Sequence, residues 1–175
     1  MEEIRVLISE EELKEKIIEV SRQINEDYKG RDIHMICILK GGVFFSCELA
    51  KYIDVPVTFD FMSISSYGSG TVSTGRVKIM KDLDEPIEGR DVLIVEDIID
   101  TGRTLSYLLE LLKHRKPKSI KICTLLDKPS RRVEKDVKVD YSCVQIPDNF
   151  VVGFGLDYDQ KYRNLPYIGV VEFTD

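Results

Sequence analysis

The chain has 175 residues, 43% hydrophobic and 32% charged, with a formal net charge of -6. These values fit one folded domain with its own core, and exclude a disordered chain, a collagen-like fibre and a multi-pass membrane protein. Such acidity disfavours sequence-independent nucleic-acid binding, which calls for a basic surface.

Elements follow in order. Ser9 and Glu12 form a capping box. Leu13, Ile17, Val20, Ile24 and Tyr28 recur with helical spacing, and Gly30 is the natural stop. Ile33–Leu39 reads as a buried strand, broken by Lys40-Gly41-Gly42, and 43–52 as a helix. Residues 55–62 alternate like a strand. From Ser63 to Gly75, ten of thirteen residues are Ser, Thr or Gly, which predicts a flexible loop within the domain. Further strands are predicted at 77–80, 92–95 and 120–126, with a helix at 104–113 carried by Leu105, Leu108, Leu109 and Leu112. The tail from Val139 shows short β-like runs broken by Pro and Gly. Alternating strands and helices predict an α/β fold with a mainly parallel central sheet flanked by helices. The expected organisation is a single domain over 1–175, with a core at about 30–130. A small hood would come from the N-terminal segment and about 131–175.

Cys37, Cys47, Cys123 and Cys143 make no C-x-x-C pair and sit in apolar surroundings, so they read as small buried hydrophobes. The acidic start lacks the apolar stretch of a secretion signal, and no apolar run is long enough to span a membrane. The expected setting is reducing and cytoplasmic, without a membrane partner.

The chemistry concentrates in one run. An apolar strand, Val92-Leu93-Ile94-Val95, leads into Glu96-Asp97, then Ile98-Ile99, then Asp100-Thr101-Gly102-Arg103-Thr104 and a helix. In open α/β sheets ligands bind beyond the carboxyl ends of strands. The Thr101–Thr104 turn offers backbone amides, hydroxyls and a helix N-terminus suited to a phosphate monoester. Adjacent carboxylates suit a sugar diol or a hard cation such as Mg2+. Together they describe a site for a phosphorylated ribose. An isolated Glu-Asp pair would be read as a merely acidic strand end, with Asp100 or Thr101 as a helix cap.

This run resembles the signature of the type I phosphoribosyltransferases. Leu39-Lys40-Gly41-Gly42, Ser65-Ser66-Tyr67-Gly68, Lys128-Pro129 and the segment from Ile146 to Gly169 narrow the resemblance to the hypoxanthine-guanine phosphoribosyltransferases of the bacterial type. The resemblance implies Mg2+-dependent transfer of 5-phosphoribosyl from phosphoribosyl pyrophosphate to hypoxanthine or guanine, in purine salvage. Lys40, Gly41 and Arg163 would hold pyrophosphate. Glu96 and Asp97 would hold the ribose hydroxyls and Mg2+, with Asp157 near the base edge and a second Mg2+. Asp100 would accept the proton near N7 of the purine, and Thr101, Gly102, Arg103 and Thr104 would cradle the 5-phosphate. Lys128 would contact the 6-oxo oxygen, Phe150 would stack on the base, and Val151 would read its edge through the backbone. The loop with Ser66 and Tyr67 would close over the site. Arg131 and Arg132 read as a solvated basic turn. Family members are commonly homodimers or homotetramers, so self-association is implied.

Lys only donates, so Lys128 favours a 6-oxo acceptor over the 6-amino group of adenine. The sequence departs from the family pattern at Tyr141-Ser142-Cys143-Val144-Gln145 and at Phe154, which bears on fine purine preference. A competing reading is a regulator that binds phosphoribosyl pyrophosphate on the same fold without catalysis. The chain shows no helix-turn-helix-sized extension that would favour it.

Overall fold

The computed structural model describes residues 2–66 and 77–173. The order is β1 (Glu2–Ile8), α1 (Glu10–Asp27), β2 (Ile33–Leu39), α2 (Val43–Ala50), β3 (Val57–Ser66), β4 (Val77–Lys81) and β5 (Asp91–Ile99). Then come α3 (Arg103–Lys113), β6 (Ser119–Asp127), a 3-10 turn (Pro129–Arg131), β7 (Tyr141–Gln145), β8 (Val151–Val152) and β9 (Ile168–Phe173). The large sheet has the order β4-β3-β2-β5-β6-β7. It is parallel except for β4, which runs antiparallel to β3 at one edge. A smaller antiparallel sheet has the order β1-β9-β8.

The strand pleat divides the core in two. Met35, Leu93, Val95, Cys123 and Leu125 face α1 and α2, meeting Leu13, Ile17, Ile24, Phe45 and Leu49. Ile36, Ile38, Val92, Ile94 and Ile122 face the other way, against Leu105, Leu108 and Leu112 of α3. Coverage on both faces explains why Val92–Val95 is an unbroken apolar run that is wholly buried. The α1 start is fixed by Ser9, whose Oγ accepts a hydrogen bond from the Glu12 amide at 3.2 Å. Three glutamates in its first turn suit the positive end of the helix dipole.

The structure departs from the sequence expectations at four places. β3 runs through Ser63–Ser66, part of the expected loop, because β4 supplies a ladder partner from Val77 to Lys81. A pairing partner thus outweighs a composition poor in strand formers; the remainder of that loop, Tyr67 included, lies outside the described residues. β1 was unanticipated. Its charged positions remain exposed, and Arg5 meets Glu172 of β9 at 2.7 Å. The hood is narrower than expected: α1 packs on the large sheet and β7 completes that sheet's edge, leaving β1, β8 and β9 as the small layer. Finally, β5 continues to Ile99, because its pairing with β6 outlasts its pairing with β2. Of the cysteines, Cys47 is exposed on α2 and the other three are buried.

Candidate active site

The carboxyl ends of β2, β5 and β6 open onto one cleft. The turn after β2 begins with a cis Leu39–Lys40 peptide, and the Gly42 amide donates to the Ile38 carbonyl at 3.0 Å. Gly41 packs so closely on Asp97 that a Cβ there would overlap the carboxylate oxygen Oδ2. Gly155, from the segment between β8 and β9, lies as tightly against the Gly41 carbonyl. Glycine at both positions is therefore what lets three distant stretches of backbone meet at one point.

Arg163 is held over this point. Its guanidinium donates to the Gly155 carbonyl at 2.8 Å and pairs with Asp157 at 3.1 Å. Lys40 Nζ and Arg163 Nη2 both donate to Gln160 Oε1, at 3.2 and 3.1 Å. The structure thus brings together Lys40, Gly41 and Arg163, the three residues the resemblance assigned to pyrophosphate. Gln160 joins them and was missed. A neutral amide in an irregular tail carries no sequence signal of its own.

Glu96 and Asp97, adjacent in a strand, point to opposite faces. Glu96 lines the cavity beside α3, whereas Asp97 faces the Gly41 turn. Burial pushes the Glu96 carboxyl well above the usual carboxylate range, with the Asp97 charge adding to it. Burial also raises Asp97, to about 6, although its Oδ1 accepts the Ile98 amide at 2.8 Å and Arg163 draws it down. The pair is desolvated and short of positive charge, which is the setting in which a cation or hydroxyl donors would be welcomed.

Beside Glu96, Asp100, Thr101, Gly102 and Thr104 enclose a cavity of about 140 Å3. Gly102 precedes α3 with φ 81° and has no side chain to cap it, and the first helix amide, that of Arg103, donates to Thr101 Oγ1 at a long 3.4 Å. The Thr101 carbonyl is turned away, accepting the Val133 and Glu134 amides at 3.0 and 3.1 Å. The start of α3 and the two threonines of the turn therefore border the cavity. Of the two caps this run offers, Asp100 instead accepts from Arg131, while Thr101 reaches only the first amide, that of Arg103, at 3.4 Å.

The third wall is built by β6 and the segment after it. The Lys128 amide donates to the Ile99 carbonyl at 3.0 Å, tying it to the end of β5. Its side chain is only 8% exposed, and Nζ stands 3.5 Å from Asp148. Arg131 and Arg132 are not the idle turn that composition suggests. Arg131 Nε donates to Asp100 Oδ1 at 3.1 Å and Nη1 reaches Asp148 at 3.6 Å. Arg132 donates to the Asp100 carbonyl at 3.2 Å and pairs closely with Asp127. The 3-10 turn at 129–131 aims Arg131 inward, and a run of Lys, Pro, Ser and Arg does not disclose that direction.

Phe150 is 53% exposed, and its ring meets Tyr158 edge-on at 5.7 Å. Val151 is buried in β8 opposite Val170. The departures from the family pattern face elsewhere. Phe154 turns toward Phe44 of α2, ring centres 6.2 Å apart, and Cys143 is buried in the core that includes α1. Ser66 ends β3, and Tyr67 lies outside the described residues. Among the described residues no three acidic, His or Cys side chains converge as a metal cage. Asp157 is engaged by Arg163 and the Gln160 amide, so Glu96, Asp97 and Asp157 do not form one ligand set. Mg2+ does not need such a set, since it is commonly held by one or two carboxylates together with substrate phosphates.

Comparison with known proteins agrees with this geometry. The model of the phosphoribosyl transferase domain matches residues 8–159. A hypoxanthine-guanine phosphoribosyltransferase of Streptococcus thermophilus is 55% identical over 96% of this chain and 93% of its own length. That of Bacillus subtilis shows the same identity and coverage. The crystal structure of a hypoxanthine-guanine phosphoribosyltransferase from Bacillus anthracis superposes with a TM-score of 0.93 at 50% identity, covering 97% of this chain and all of that one. With the family model, the near-full-length relatives and the fold in agreement, the chain belongs to the phosphoribosyltransferase family, in its bacterial hypoxanthine-guanine branch.

Proposed function

We propose that this site moves the 5-phosphoribosyl group of phosphoribosyl pyrophosphate onto hypoxanthine or guanine, giving IMP or GMP and pyrophosphate, as a step of purine salvage. The observation that carries the reading is the meeting, at one end of the sheet, of the Gly41 turn, the glycine-led start of α3 and Lys128. Each suits a different part of the reacting pair.

Thr101, Gly102, Arg103 and Thr104 anchor the 5-phosphate on helix amides. Asp97 and Glu96 accept from the ribose hydroxyls. Lys40, the Gly41 backbone and Arg163 orient the pyrophosphate and stabilise its charge as the bond to C1 lengthens. The sugar becomes oxocarbenium-like in that step, as in glycoside chemistry. Lys128 donates to the 6-oxo oxygen, Phe150 packs on the ring and Val151 meets the base edge. Asp100 takes the proton released as the purine nitrogen attacks. Ser66 and Tyr67 belong to the segment that would cover the site and exclude water.

Glu96 and Asp97 fit a hard cation by donor type and by their desolvation, and Asp157 would contribute a separate ligand once freed from Arg163. When bound, Mg2+ would supply positive charge to the leaving pyrophosphate. A cytoplasmic homodimer or homotetramer is the assembly we infer. The near-full-length relatives carry transferase names, which favours catalysis over the regulator reading.

A spectrophotometric assay with Mg2+ and phosphoribosyl pyrophosphate tests the proposal. Nucleotide is expected from hypoxanthine and guanine and not from adenine. Turnover of adenine would overturn the Lys128 reading. A folded protein that binds phosphoribosyl pyrophosphate and converts no base would be the regulator.

A further inference from the structure

A cavity of about 450 Å3 lies away from the cleft. It lies at the opposite, amino ends of the strands, between Arg31, His34, Thr58, Gly89, Arg90 and Lys118. Seven residues of β2 separate it from the Gly41 turn, roughly 20 Å at the rise of a strand. Nothing in the phosphoribosyl chemistry uses it.

We propose that this cavity is a second anion site, which takes the phosphate of a small hydroxylated phosphomonoester on Arg90 and Lys118. Charge is the first reason. Three fixed cations line it against two carboxylates, Asp32 and Asp91, in a chain whose overall balance is negative. Asp91 is buried and already engaged, accepting from Ser119 Oγ at 2.6 Å and from Arg31 at 3.4 Å. Arg31 is further fixed by the Asp27 carbonyl at 2.6 Å and by the Tyr28 ring beneath it. Lys118 stands at 4.0 Å from Asp91. Arg90 forms no ion pair among the described residues, and its guanidinium donates only to the neutral hydroxyl of Thr58, at 2.7 Å. His34 adds no charge, since burial first and then Arg90 lower its pKa, and its Nδ1 is paired with Thr58 at 2.8 Å.

Preorganisation is the second reason. The Arg90 carbonyl accepts the amides of Lys118 and Ser119, at 2.9 and 3.4 Å, and the Gly89 amide donates to Lys116 at 3.0 Å. The two cation-bearing turns are thereby stitched together by backbone, so neither must be ordered when an anion arrives. The third reason is room. A Cβ at Gly30 or Gly89 would meet nothing within 4 Å, so the rim is open. The volume falls in the range of small-molecule sites and exceeds what a bare phosphate fills. Asp32 and Thr58 on the wall can accept from hydroxyls of the ligand body.

Amide resonances of the intact 15N-labelled protein would be followed while inorganic phosphate or ribose 5-phosphate is added. Expected are saturable shifts at Gly89, Arg90, Lys118 and Ser119, with ribose 5-phosphate about tenfold tighter than phosphate. The Arg90→Gln/Lys118→Gln protein should lose these shifts, keep those at Thr101–Thr104 and retain transferase activity. Gly89→Asp should abolish binding and Gly89→Asn preserve it, since both side chains tolerate a positive φ and only one adds charge. The inference is overturned if these amides do not move, or if they move equally in the doubly substituted protein. Equal midpoints for the two probes would also overturn it, marking an adventitious ion only.

Discussion

Asp97→Asn should make the protein more stable and less active, and the size of the gain follows from the site. Burial lifts the Asp97 carboxyl from its ordinary 3.8 to about 6. At about 1.4 kcal/mol per pH unit, ionised Asp97 destabilises the metal-free fold by about 3 kcal/mol at neutral pH. The penalty is absent below the unfolded value, grows as pH rises because the unfolded chain loses its proton first, and is complete above about 6. Asparagine keeps the size of the side chain, and its Oδ1 can still accept the Ile98 amide. For a domain of this length the gain corresponds to a rise in melting temperature of about 6–10 °C near neutral pH, without added divalent cation. Calorimetry across pH tests it. The difference should shrink toward zero near pH 4. Equal melting temperatures near neutrality, or a gain independent of pH, would refute the reasoning. Transferase activity should fall steeply in the same variant.

Gly41→Ala forces a Cβ into Asp97 Oδ2. Overpacking of this kind costs about 1–3 kcal/mol, and steady-state kinetics should show kcat/KM for phosphoribosyl pyrophosphate falling at least about tenfold. Lys128→Met removes a buried donor. The KM for hypoxanthine should rise about 10–100-fold, matching about 1.5–3 kcal/mol for a hydrogen bond from a charged group, and discrimination against adenine should weaken. An unchanged KM would exclude Lys128 from the base pocket. Gly102→Ala places a side chain at φ 81°, with Cβ 3.1 Å from Arg132 Cδ. Denaturant unfolding should show a loss of about 1–2 kcal/mol with unchanged slope.

The sequence discloses elements that are strongly periodic or wholly apolar. α1 is legible because one face repeats from Leu13 to Tyr28, and β2 because each residue from Ile33 to Ile38 is buried. Elements defined by a partner are hidden. Glu2–Ile8 becomes a strand because β9 lies beside it, and Ser63–Ser66 because β4 returns along it. The Ser-rich stretch carries no mark of its pairing, so a propensity reading gives a loop there, whereas Ile4-Arg5-Val6-Leu7-Ile8 does hold strand formers but only a short run of them. The same division holds in the cleft. Glu96, Asp97, Asp100 and the turn to α3 form one contiguous run that suits a phosphorylated ribose. Asp148 and Arg131 act through residues distant in sequence, and Gln160 joins its neighbour Arg163 to the distant Lys40, contacts that exist only once the chain has folded.

Those three residues give the ligand-free cleft a common logic. Cations assigned to substrate already have protein partners: Lys128 has Asp148, Arg163 has Asp157, and Lys40 has Gln160. Arg131 does the same for Asp100, the intended proton acceptor. A cation left bare in a partly dry cleft would be costly, and these pairings offset that cost. Substrate binding is then an exchange. The 6-oxo oxygen must displace Asp148 from Lys128, and pyrophosphate must displace Gln160 and Asp157 from Lys40 and Arg163. The partners of the two lysines are weak ones, whereas Asp157 is a charged partner 3.1 Å from Arg163. The Lys128 to Asp148 separation is long at 3.5 Å, Asp148 is half exposed, and Gln160 is uncharged. A pyrophosphate group offers shorter charge-assisted bonds than any of them. The cations of the cleft are thus partnered within the protein and better partnered by substrate, and that difference sets affinity.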